Sequence, residues 1–133
     1  MLPLLMQASR VAIPTNKLDK RSFWLGAIGI RHDGVHVFSK NGASAFSASV
    51  EAHHFTPHSH AEGRVVRKMG KGGTIYVARV ARKDRSLAMA RPCGMCRNLL
   101  KSYSIKKVFY TIDNDHYGVW HPQSDKDIIF DVR

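Results

Sequence analysis

Two cysteines in 133 residues, Cys93 and Cys96, are too few and too close together for a disulfide framework. In an intracellular protein such a pair reads as metal-binding or redox-active. Apolar runs are short as well. The opening MLPLLMQASRVAIP is interrupted by Gln7 and Arg10 and has no basic segment before it, so it reads as neither a secretory leader nor a membrane span. It reads instead as an amphipathic helix ending before Pro14, and the expected location is the cytoplasm. Internal repeats and low-complexity tracts are missing, and the length suits one domain spanning 1–133 rather than two. Acidic residues are scarce too: 10 Asp and Glu stand against 21 Lys and Arg, a formal charge of +11. Such an excess points to a polyanionic partner, most often nucleic acid, and says little about fold.

Hydrophobic content is 44%, ordinary for a globular core. SFWLGAIGIR, Ser22 to Arg31, reads as a buried strand, His32-Asp33-Gly34 as a hairpin turn, and VHVFS as the returning strand. A long connection follows, Lys40 to Ser59, of the length that often carries function. A helix is expected from about His60 to Met69, stopped by GKGG, and then the strand TIYVARVAR. Pro92 opens a further helix in CGMCRNLLKSYS. KKVFYTI and HYGVW form a hairpin around DND, while DKDIIFDVR fits either a short strand or a helical end. The fold class expected is α/β: a mixed five-stranded sheet packed by helices, with KKVFYTI and HYGVW as an antiparallel last pair.

SHAEGRVV and RPCGMCRN carry the chemistry. Both stand at expected helix starts. Residues three apart share a helix face, so Cys93 and Cys96 can reach one metal ion, with thiolates favoured by the positive end of the helix dipole. Zinc takes Cys, His and carboxylate ligands, and a catalytic site keeps one position for water. His60 is the third ligand on this reading, and Glu62 is the acid and base beside the water. His58 offers an alternative ligand at the cost of that spacing. A structural zinc would want a fourth Cys or His instead of Glu62, and a redox pair would leave His60 and Glu62 without a role.

His60-Ala61-Glu62 followed by Pro92-Cys93-x-x-Cys96 is similar to the signature of the zinc deaminases. With Val65, Val66 and Leu100 in place, the pattern resembles the cytidine and deoxycytidylate deaminase family. PCGMCRN is similar to the PCGxCRQ of the free-nucleoside enzymes, and the order of elements resembles that fold from the first helix to Trp120. The resemblance implies a zinc cofactor and hydrolytic deamination of cytosine at C4. Glu62 would protonate ring nitrogen N3 and then the leaving amine. It also implies substrate contacts: the Ala61 N–H to the base carbonyl, the backbone carbonyl of Arg91 to the amino group, and Asn41 to sugar or base. Asn41 in KNG reads equally well as a turn residue. Tyr110, Tyr117 and Trp120 fall near the family's substrate mouth, and Phe46 and Phe55 are further walls. Two departures stand out. Arg91 replaces the usual Ser or Thr and brings a positive charge, and Gly63 follows the glutamate.

The antiparallel last hairpin resembles the nucleoside and toxin-type polynucleotide deaminases more than the tRNA-adenosine branch. Arg64, Arg67, Lys68 and Lys71, with Arg79, Arg82, Lys83, Arg85 and Arg91, supply the cations that a polynucleotide groove uses. Single-stranded DNA or RNA is therefore the expected substrate, with free cytidine, deoxycytidine or their nucleotides as the alternative. A tRNA-type adenosine deaminase and an inactive zinc-stabilised nucleic-acid-binding module are the remaining readings. Oligomeric state is left open by the sequence.

Overall fold

The computed structural model describes residues 1–14, 21–40 and 61–132. Helix α1 (Pro3–Ala12) is followed by strands β1 (Phe23–Ile30) and β2 (His36–Lys40), helix α2 (Ala61–Met69), strands β3 (Thr74–Ala81) and β4 (Leu87–Ala88), helix α3 (Gly94–Ser102), and strands β5 (Lys107–Thr111), β6 (His116–His121) and β7 (Lys126–Asp131). The sheet runs β2-β1-β3-β5-β6-β7, and β4 pairs with β3 off that path.

The sheet is mixed, as expected. β3 and β5 run parallel, with α3 in the connection between them, and the other pairs are antiparallel. β5 and β6 form the expected hairpin, pairing Val108 with Trp120 and Tyr110 with Gly118. Among the described residues the sheet has seven strands, where five were expected. β4 is only two residues long, too short to show a period. β7 settles the reading of DKDIIFDVR, whose run of Ile128, Ile129 and Phe130 hides the alternation of a strand.

Strand alternation divides the core. Ala27, Ile75, Val77, Val108, Tyr110 and Trp120 pack with Val65, Val66 and Met69 of α2 and Leu100 of α3. On the other face Ile28 and Ala78 meet Ala8 of α1. α1 begins with Pro3 in its first turn and buries Leu5, Ala8, Ser9 and Ala12, the i, i+3, i+4, i+7 stripe of an amphipathic helix. Gly26 lets α1 lie directly on β1, because a Cβ there would collide with the Ala8 carbonyl and the Ala12 backbone. At the β1–β2 turn Gly34 has φ +86°, and Asp33 Oδ1 accepts the Val35 N–H at 3.2 Å. Among the described residues no helix is long and apolar enough to cross a membrane.

Gly26→Val forces helix and sheet apart. The expected cost is about 1–3 kcal/mol, read as a lower urea midpoint, and an unchanged midpoint would refute the close contact.

Candidate active site

α2 and α3 bring their first turns together. Val65, Val66 and Met69 anchor α2 in the core and leave Ala61 and Glu62 at its start. Ala61 is fully buried, and Glu62 is 3% exposed. Cys93 is the N-cap of α3; its carbonyl accepts the Arg97 N–H at 2.8 Å. Cys96, one turn on, is buried, whereas Cys93 is exposed. The Gly63 N–H donates to the Cys96 sulfur, which also contacts the Cys93 side chain. Thus Glu62, Cys93 and Cys96 converge, although the two motifs lie on separate helices.

The electrostatics follow from that convergence. Burial pushes the Glu62 carboxyl up to about 7, opposed by a bond from its own backbone N–H. Glu62 Oε1 has no hydrogen-bond partner among the described residues. The Cys96 thiol is pushed far up by burial, and further by the neighbouring Glu62 and Cys93. Cys96 thus interacts with both Cys93 and Glu62, and a divalent cation would stabilise the anionic forms of the three groups. The donor set fits zinc, with Cys93 and Cys96 as soft ligands. His60, the expected third ligand, and Asn41 lie outside the described residues, as do His58, Phe46 and Phe55.

Glu62 and Cys93 line a pocket of 240 Å3 together with Phe23, Trp24, Leu25, Arg79, Met89, Ala90 and Arg91. One wall is the segment between β4 and α3, pinned to β5 by the fully buried Thr111. The Thr111 hydroxyl donates to the Ala88 carbonyl at 2.7 Å, and its carbonyl accepts the Ala90 N–H at 2.8 Å. Arg91 follows directly. Its Nε and Nη2 donate to Asp127 Oδ2 and Oδ1 at 2.8 and 2.9 Å, so its charge is matched by a carboxylate on β7. Arg91 and the Tyr110 hydroxyl hold Asp127 below the usual carboxylate range.

Tyr110 and Trp120 are 1% and 0% exposed and belong to the core beneath the sheet's helical face, outside the set of pocket-lining residues. Tyr110 donates to Asp127, and the Trp120 indole N–H donates to Asp125 Oδ1 at 2.9 Å. Tyr117 stacks on Phe130. The aromatic residues at the pocket are Phe23 and Trp24, at the start of β1. Sequence reasoning passed over them because two aromatics opening an apolar strand look like core. Only the 40% exposure of Phe23, in a strand otherwise mostly buried, marks it out. Asp127 was missed as well, lying 36 residues from Arg91 with no local signal.

Residues 3–112 match the model of the cytidine and deoxycytidylate deaminase zinc-binding region. The chain belongs to this family. Its cofactor is zinc, the metal of that region. The fold agrees: a crystal structure of cytidine deaminase from Mycobacterium tuberculosis aligns with a TM-score of 0.51 and 25% identity, over 81% of this chain and 80% of that one. A mutant form of the same enzyme aligns at 0.48 and 22%, over 81% of each chain. Among curated proteins none matches. β6 and β7, and with them Asp127, lie beyond the matched residues.

The Glu62 shift fixes the sign of a pH effect. In the zinc-free protein a neutral buried Glu62 contributes stability that is fully present below its ordinary value of 4.5 and is lost as pH rises through about 7. Between pH 5 and 8, metal-stripped protein is expected to lose more melting temperature than metal-stripped Glu62→Gln. Parallel curves for the two would contradict the burial argument.

Proposed function

We propose that this protein hydrolyses the exocyclic amine of cytosine, giving uracil and ammonia, with Glu62 as the catalytic acid and base. The observation that carries this is the buried Glu62 carboxyl with an unpartnered oxygen, in one pocket with Cys93 and next to Cys96. His60, Cys93 and Cys96 would hold the zinc. When bound, zinc supplies the Lewis acidity that makes water nucleophilic near neutral pH. Glu62 takes a proton from the water as the water oxygen bonds to C4 and passes it to ring nitrogen N3. It then takes the second proton from the hydroxyl added at C4 and delivers it to the amine, which leaves as ammonia when the C4–N bond breaks. One carboxylate serves both steps because they are sequential. The Ala61 N–H, at the positive N-terminal end of α2, is the donor for the base carbonyl.

The proposed substrate is cytosine within a single-stranded nucleic acid. Phe23 and Met89 are exposed at the pocket. Beside them Arg79 lies over the Phe23 ring at 4.2 Å, and the β3–β4 turn exposes Arg82, Lys83 and Arg85. An exposed aromatic with a cation over its ring at the pocket, and further cations on the turn after β3, suit a strand that stacks a base and tracks phosphates outside. Free cytidine is the second reading, favoured by the likeness to the mycobacterial cytidine deaminase.

Glu62→Ala is expected to keep its zinc and to lose roughly 10²–10⁴-fold in deamination rate, whereas Cys93→Ser and Cys96→Ser lose the metal itself. Metal analysis beside an ammonia-release assay checks both, and a fully active Glu62→Ala protein would end the proposed mechanism. Free cytidine, deoxycytidine and single strands carrying one cytosine then separate the substrates. Uracil formed only within the strand, and less of it as salt rises, is the expected result. Uracil formed only from the small molecules would assign the protein to nucleoside chemistry.

A further inference from the structure

The Arg91–Asp127 pair joins β7 to the segment that leads into the Cys93–Cys96 turn. Arg91 is a pocket-lining residue immediately before Pro92 and Cys93. Asp127 reaches it from β7 with both oxygens, and Oδ2 also accepts the Tyr110 hydroxyl. Tyr110 reaches that oxygen because Gly118 stands opposite it on β6, where any Cβ would run into the phenol ring. A carboxylate with three donors on two oxygens is held in one orientation. It in turn orients the planar guanidinium through a two-point contact. The pair is only part-exposed, 34% for Arg91 and 21% for Asp127, so solvent screens it incompletely.

We propose that Asp127 is a positioning residue that sets the substrate charge accepted by the deaminase pocket. It ties Arg91 to the wall and cancels its charge. The pocket then receives the neutral base and sugar, and phosphates lie outside on the basic surface. This rests on the proposed cytosine deaminase activity and deepens it. An unpaired Arg91 at the same place would draw a phosphate into the pocket. An unpaired Asp127 would repel one. Both substrate readings above are compatible with the pair, because it governs the pocket and not the surface that carries the polymer.

The test compares zinc-loaded full-length proteins on substrates that differ by one 5′-phosphate. Cytidine is set against its 5′-monophosphate, and a short single strand beginning in cytosine is used with and without a 5′-phosphate. The readout is the ratio of kcat/KM with phosphate to kcat/KM without it. Asp127→Asn leaves Arg91 charged and is expected to raise the ratio on the order of tenfold, mainly through KM. Asp127→Glu, which keeps the carboxylate, holds the wild-type ratio. Arg91→Gln leaves the Asp127 charge alone and lowers the ratio, and the double variant returns it to the wild-type value. A ratio that stays constant across folded variants, even with a lower melting temperature, makes the pair a structural staple and overturns the proposal. Should Asp127→Asn not fold, Arg91→Gln decides: a ratio that does not fall overturns it. Wild-type protein inactive on every cytosine substrate overturns the deaminase reading and this proposal with it. An active wild type with an unmoved ratio overturns this proposal alone.

Discussion

Glu62 is a carboxyl group removed from water and left with an unpartnered oxygen, and the arrangement around it is what the fold has to maintain. Burying a polar group without a partner is costly, so the surrounding structure must be firm enough to prevent the side chain from swinging out to solvent. α2 provides that firmness through Val65, Val66 and Met69, which are packed against β-strand residues on the core side. α3 does the same for Cys96 through Leu100. Each helix is short, nine residues, and its isolated stability would be marginal. The site therefore draws its rigidity from the sheet.

The sheet determines how the two motifs meet. β3 and β5 are parallel neighbours joined through α3, and α2 enters β3. Both helices lie on the same face, with their first turns adjacent. Parallel strands need a crossover connection, and here it carries the Pro92-Cys93-x-x-Cys96 segment. Thr111 pins that connection at Ala88 and Ala90, and Asp127 pins it at Arg91. A loop bearing the proposed metal ligands and lining a pocket is thus held at three successive points. Such bracing keeps ligand geometry within narrow limits.

Charge is distributed unevenly between pocket and surface. The chain carries a net +11, and much of it lies on exposed side chains such as Arg64, Arg67, Lys68 and Lys71 on and after α2, and Arg82, Lys83 and Arg85 at the β3–β4 turn. Within the pocket wall the Arg91 charge is matched by Asp127. A long-range attraction for polyanions and a locally compensated binding pocket are different properties of one molecule. The first acts over roughly a Debye length, about 8–10 Å at ordinary salt. The second acts by contact.

The sequence by itself determined the features written in local chemistry. Pro14 follows the end of α1, Asp33-Gly34 turns β1 into β2, Gly70 to Gly73 stop α2, and two short motifs point to the proposed donor set. Even the antiparallel β5–β6 hairpin was legible from its Asp113-Asn114-Asp115 turn. Only the tertiary structure decided which aromatic residues line the pocket and which fill the core. Tyr110 and Trp120 went to the core because their strand positions face α2 and α3, whereas Phe23 is exposed at the pocket from the start of β1. It also decided the fate of the Arg91 charge, since its partner lies on a strand 36 residues away. Periodicity and turn residues act over a few positions of the chain. Pairing between distant strands depends on register across the whole sheet, and no local signal encodes it.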